Sequence, residues 1–272
     1  WRMEELEGIG LPNCDACQWY FDINEHGSWE GKYILHRTLP IESLADRLGI
    51  DLSTAHALVL QWQQRLSRAA ADRLNTHPKP LRDPKALTCW NALLVIGFAE
   101  AHRALPEKGY DQAATSLLDR LLNTVWKNGT IAHQYLKNAA EGDGFLDDYS
   151  SFGQALLEGF LLTGNSMYLE RAHELAERIE RIFPFEGDFR VYSPAVDAAW
   201  QKQLEIEDNV IPSANSMWAH FYQSMGTIAD RNDWKEQAQQ ALRTVHSKVF
   251  RYGPNFSNWL ELGLMGAYGA KE

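Results

Sequence analysis

The sequence predicts an all-α fold, an α/α toroid of helical hairpins left incomplete in this chain, and three observations carry that prediction. First, YDQAATSLLDRLLNTVW from Tyr110, YLERAHELAERIERIF from Tyr168 and WKEQAQQALRTVHSKVF from Trp234 share one template. Each opens on an aromatic and places apolar residues at offsets 4, 7, 11 and 15: Ala114, Leu117, Leu121, Val125; Ala172, Leu175, Ile179, Phe183; Ala238, Ala241, Val245, Val249. This is one face of an amphipathic helix, three times over. Second, 19 residues before each opening aromatic stand Asn91, Tyr149 and Asn215. Each starts a segment apolar nearly all round, which must be covered on most sides. Third, turn segments such as LTGNSM join the two kinds of helix, so the repeating unit is a buried inner helix followed by a one-faced outer helix.

In chain order, QWYFDINEHGSWEGKYILH alternates aromatics around an Asn-Glu-His-Gly turn signal and is expected to form a small β-hairpin over 18–36. LPIESLADRLGI predicts a short helix with Pro40 near its start, and a long helix follows from Asp51 or Ser53 as cap. HPKPLRDPK, with three prolines, predicts an extended linker. Inner helices are then expected near 88–105, 148–162, 213–229 and 256–267, and outer helices near 110–126, 166–183 and 232–249. The whole of 1–272 is read as one partial toroid domain. A closed six-hairpin ring at this repeat spacing needs more than about 330 residues.

A formal net charge of −10 disfavours nucleic acid and anionic membranes, and no basic patch offsets it. SLADRLGIDLSTAHALVLQW has the outline of a helix-turn-helix, but its second helix carries no cation before Arg65, so it reads as an ordinary helical hairpin. No window is apolar enough to span a bilayer. Cys14, Cys17 and Cys89 are too few for a disulfide framework, which favours a reducing, cytoplasmic compartment. Cys14-x-x-Cys17 has no second pair or ligand-spaced histidines, and His26, His36 and His133 show no HxxxH spacing, so neither metal nor other cofactor is called for.

GSWEGKYILH, RDPKALTCWNAL, GFLDDYS and IPSANS occur in the order and approximate spacing of the family of spermatogenesis-associated protein 20 and its bacterial YyaL-like relatives, and the chain resembles that family throughout. It departs from the pattern at Pro84, Cys89, Ala92, Asn209 and Ala214, which leaves the charged positions in place. The resemblance implies a thioredoxin-like domain upstream, absent from this sequence. It also implies a toroid like those of N-acylglucosamine 2-epimerases and six-hairpin glycosidases.

If the inner helices are parallel, KALTCW, GFLDD and NVIPSA converge on one rim. Thr88, Asp147 or Asp148, and Ser213 are natural caps there, where unsatisfied N–H groups concentrate. Neighbouring residues at a helix start point about 100° apart, so one of Asp147 and Asp148 caps while the other is free to face the rim as an acid/base group. Asp208 is the candidate second acid and His133 a candidate acid/base residue. Trp29, Glu30, Lys32, Arg82, Trp90, Asn91, Tyr149 and Asn215 are candidate substrate-binding residues, through stacking faces, amides and charges. Core packing is the competing reading for the aromatics, Trp218 included. The expected function is a carbohydrate-binding or carbohydrate-modifying toroid, a sugar isomerase, epimerase or glycosidase acting on a small-molecule substrate. The rival is a non-catalytic scaffold or protein-binding surface serving a thioredoxin-like domain, or a remaining toroid fragment.

Overall fold

A computed structural model describes residues 1–12, 14–24, 26–76, 81–137, 139–194 and 204–268. Residues 77–80 of the expected linker lie outside this set. The chain divides into two units, Trp1–Arg82 and Asp83–Glu272.

The first unit holds α1 (Met3–Ile9), α2 (Cys14–Phe21), α3 (Ile41–Leu48) and α4 (Leu52–Thr76). Asp51 caps α4, its carboxylate accepting from the Thr54 amide at 2.9 Å and from the hydroxyls of Ser53 and Thr54. These bonds hold the Asp51 carboxyl well below the usual range. The expected hairpin over 18–36 is corrected. Residues 18–21 belong to α2, because Ala16, Cys17, Tyr20 and Phe21 are buried with helical spacing against Trp62 of α4. Only a single bridge, Trp29 with Lys32, closes the reversal, through Glu30 and Gly31 at φ 48° and 70°, the two left-handed residues of a type I′ turn.

The second unit is an arc of α-hairpins, the architecture of an α/α toroid. Its inner helices are α5 (Thr88–Ala104), α7 (Leu146–Thr163), α9 (Ala214–Ile228) and α11 (Ser257–Tyr268); its outer helices are α6 (Tyr110–Val125), α8 (Ser166–Ile182) and α10 (Asn232–Arg251). The repeat thus predicts each of these seven α-helices to within two residues. Outer helices bury one stripe, such as Ala172, Leu175, Ala176 and Ile179 of α8, whereas α7 buries thirteen of its eighteen residues. Close approach of α7 to its neighbours depends on Gly153 and Gly159. A Cβ there would run into the Phe221 ring and the Leu118 methyl, respectively.

Short strands lie ahead of α5, between α6 and α7 and between α8 and α9, whereas a 3-10 turn, Gly253–Phe256, joins α10 to α11. β1 (Ala86–Leu87), β2 (Trp126–Lys127), β3 (Thr130–Leu136) and β4 (Ala139–Asp143) form an antiparallel sheet centred on β3, and β5 (Phe185–Glu186) pairs with β6 (Phe189–Arg190). Asn128 and Gly129, at φ 50° and 77°, make the two-residue turn between β2 and β3. Among the described residues no helix is long and apolar enough to cross a membrane.

Candidate active site

Carboxylates tie the starts of neighbouring inner helices: Asp148 of α7 bonds the backbone of α5, and Asp208, ahead of α9, bonds the backbone of α11. Phe145, not an aspartate, is the N-cap of α7, which makes Asp147 and Asp148 the second and third helical residues. Asp148 is fully buried. Its Oδ1 accepts from the Cys89 amide in the first turn of α5 at 2.9 Å. Its Oδ2 accepts from the Phe145 amide at 3.0 Å and from His133 Nδ1 of β3 at 2.8 Å. One carboxylate thus closes the start of α7, ties it to α5 and orients a histidine. On α5 the N-cap is Leu87, and the Thr88 hydroxyl donates to Ala132 O of β3 at 2.6 Å. Ser213 caps α9 as expected, accepting from the Ser216 amide at 3.3 Å.

Asp147 is in a different state. It is 8 % exposed and accepts a local bond from the Asp148 amide at 3.0 Å, with the Tyr192 hydroxyl and the buried Cys89 thiol as further neighbours. Burial, with the charges of Asp148 and Glu205 added, pushes its carboxyl up to about 7. A carboxyl with that value is about half protonated at pH 7, where an ordinary aspartate is ionised.

His133 donates through Nδ1, which leaves Nε2 as the acceptor of the neutral ring. Its side chain is 28 % exposed. The bond to Asp148 raises its pKa, against an opposing effect of burial. Its ring meets the edge of Phe145 at 4.9 Å, and Phe145 lies flat on Tyr192 at 4.9 Å and 7°. Burial raises the Tyr192 hydroxyl and the Glu205 carboxyl, the latter despite a bond from the Ala214 amide at the start of α9. The site thus combines an acid that titrates near neutral pH, a carboxylate-oriented imidazole, a second acid bonded to the start of the next inner helix and an aromatic wall.

The other expected site residues fall elsewhere. Asp208 is a brace, with Oδ1 accepting from the Ser213 amide at 2.9 Å and the Ser216 hydroxyl at 2.8 Å, and Oδ2 from the Asn258 amide of α11 at 2.9 Å. It does for α9 and α11 what Asp148 does for α7 and α5, with both oxygens engaged by donors of the fold. Asn215 is fully buried, with its amide engaged by Arg190 N, Arg190 O and Glu205 O. Asn91 Nδ2 donates back to Leu87 O at 2.7 Å. The buried Tyr149 hydroxyl accepts from the Ile131 amide at 3.1 Å, on the side of α7 that carries no Asp147 contact. Trp218 is core, stacked under the buried Arg190 guanidinium. Trp90 is 58 % exposed on the first turn of α5. Trp29, Glu30, Lys32 and Arg82 are all exposed residues of the first unit. Among the described residues no three His, Cys, Asp or Glu side chains are grouped to hold a metal ion. Cys14 is exposed, and Cys17 and Cys89 are buried thiols.

Tyr192 and Glu205 escape sequence reasoning because they sit in segments without periodicity. The Asn-Gly pair at 128–129 is the one legible sign that a hairpin would deliver His133 to the rim.

No family model matches the chain. An uncharacterized protein of Caenorhabditis elegans is 24% identical over 274 residues, covering 92% of this chain and 37% of that protein. Human spermatogenesis-associated protein 20 is 26% identical and the mouse protein 27%, each over 84% of this chain and 30% of its own length. The four motifs resemble homologues of that name. The chain spans about a third of the length of these curated relatives. Among solved structures, a GH76 α-mannanase of Bacteroides thetaiotaomicron is similar with a TM-score of 0.49 at 14% identity, covering 63% of this chain and 47% of that one. Cellobiose 2-epimerase of Spirochaeta thermophila gives 0.46 at 14%, over 62% and 44%, and that of Bacillus thermoamylovorans 0.47 at 12%, over 90% and 71%.

Proposed function

We propose that the second unit binds a sugar at the rim around Asp147 and moves a proton on it. The observation that carries this reading is the division of labour in Asp147-Asp148: one carboxylate is saturated by three donors, the other is kept protonated near neutral pH. A proton held at Asp147 is available to a carbonyl or ring oxygen, where it offsets developing negative charge. His133, with Nδ1 committed to Asp148, presents Nε2 as the group that takes a proton from carbon and returns it. An acid and a base of this kind are what isomerisation or epimerisation beside a carbonyl requires. The exposed Trp90 and the Phe145–Tyr192 stack supply apolar faces of the sort that pack against sugar rings.

Hydrolysis is the second reading, favoured by Glu205, whose charge acts on Asp147 and which offers the separate carboxylate that glycoside cleavage needs. One experiment separates the two. The chain is incubated in D2O with mannose, glucose, N-acetylglucosamine, cellobiose and mannobiose, and followed by proton NMR. Loss of the proton at C2 of a monosaccharide, abolished by Asp147→Asn and by His133→Gln, supports proton transfer. Release of new reducing ends identifies hydrolysis. No change of any sugar, with no line broadening on binding, would overturn both and leave the scaffold reading.

A further inference from the structure

Away from Asp147, the second unit contains a cavity of about 530 Å³, within the range of small-molecule sites. It is walled by the end of α6, by β3 and β4, by Tyr149 and by the last turns of α8. Val125 and Ile182 contribute apolar surface. The charged groups are Lys127, Arg178 and Asp143.

The two cations are unusual in their company. On α8 the neighbouring arginines are paired along the helix, Arg171 with Glu174 at 2.7 Å and Arg181 with Glu177 at 3.9 Å. Arg178, between them, turns instead to the cavity. Neither it nor Lys127 has a carboxylate partner among the described residues, and Arg178 Nε is buried with no hydrogen bond. Its guanidinium reaches the Tyr149 hydroxyl. That hydroxyl accepts from Ile131 and still has its own proton to donate. In a chain of net charge −10, two such cations and a phenol on one cavity, against one exposed carboxylate, make a local excess of donors and positive charge.

We infer that this cavity is a binding site for a small molecule bearing an oxyanion, a phosphate ester or a carboxylate, held by Arg178 and Lys127 with Tyr149 donating. Guanidinium groups hold such oxyanions through two parallel bonds, and a buried unpaired Nε is the donor that a ligand would satisfy. The volume exceeds that of inorganic phosphate, and Val125 and Ile182 suit the carbon part of the ligand. The inference does not rest on the sugar chemistry at Asp147.

Thermal unfolding of the whole chain in a zwitterionic buffer at pH 7 tests it, with inorganic phosphate, glucose 6-phosphate, glucuronate and glucose as probes. At ten times its dissociation constant, a bound anion should raise Tm by about 3 °C. Lys127→Gln, on an exposed side chain, and Arg178→Gln should each weaken that anion at least tenfold. A shift with glucose 6-phosphate alone identifies phosphate as the recognised group, and one with glucuronate alone identifies carboxylate. The inference fails if no anion shifts Tm in the wild type, or if Lys127→Gln responds to the anions as the wild type does. It fails too if uncharged glucose stabilises the wild type as much as glucose 6-phosphate does.

Discussion

Asp148→Asn replaces one of two carboxylate oxygens by an NH2 that must face either the Cys89 amide or the Phe145 amide and His133. A buried donor then meets a buried donor, and the expected cost is about 3 kcal/mol in chemical denaturation, well above the loss of an ordinary helix cap. Asp147→Asn should do the opposite. The folded carboxyl titrates at about 7 and the unfolded one at 3.8. The stability this group contributes is therefore fullest below pH 3.8 and is lost as pH rises through 7. Asparagine removes that loss, so the variant should match the wild type near pH 4 and exceed it by up to about 4 kcal/mol at pH 8, read by denaturation at both pH values. Sugar turnover should vanish all the same. That two adjacent aspartates would face different surroundings was legible in the sequence, although Phe145 and neither aspartate takes the cap position. Which aspartate meets which was not legible, because Asp148 is chosen by β3, which brings His133 to it, and by the first turn of α5. Glu205, whose charge helps to raise the Asp147 carboxyl, and Tyr192 beside it lie far from it in sequence.

Among elements, α7 is the axis of the second unit, and its glycines and the braces at helix starts set its fit. Gly153→Ala drives a methyl into the Phe221 ring of α9 and should cost about 2 kcal/mol, whereas Gly97→Ala, with nothing within 4 Å, should stabilise α5 by about 0.5–1 kcal/mol. Thermal unfolding of the two variants side by side checks the packing. Asp208→Ala leaves the Ser213 and Asn258 amides and the Ser216 hydroxyl unanswered and should cost about 3 kcal/mol without altering turnover per folded molecule, as befits a brace. The helices were legible because their stripes repeat with period and offset. Asn215 and Asn91 illustrate the limit: their equivalent repeat positions suggested ligand amides, but an amide at an inner helix start is consumed by nearby backbone. Residues 18–21 mark another limit, where consecutive aromatics imitate strand alternation although Ala16, Cys17, Tyr20 and Phe21 follow a helical face.

For the molecule as a whole, the acid-side behaviour follows from the groups clustered at the rim. His133 and Glu205, like Asp147, have raised values in the folded state, so each contributes stability that is lost as pH rises, His133 from above 6.5 and Glu205 from above 4.5. The homologous proteins of the resembling family and the arc of hairpins were within reach of four motifs and a repeat. The chemistry of the rim was not, because it depends on strands and loops that no period announces. The central claim is that Asp147 holds a proton at neutral pH while its neighbour builds the helix start. The most direct measurement is a carbon-13 NMR titration of the aspartate carboxyl carbons, with Asp147→Asn to assign the signal. One resonance should titrate near pH 7 in the wild type and be missing from the variant. An Asp147 carboxyl that titrates in the ordinary range near pH 4 would contradict the account.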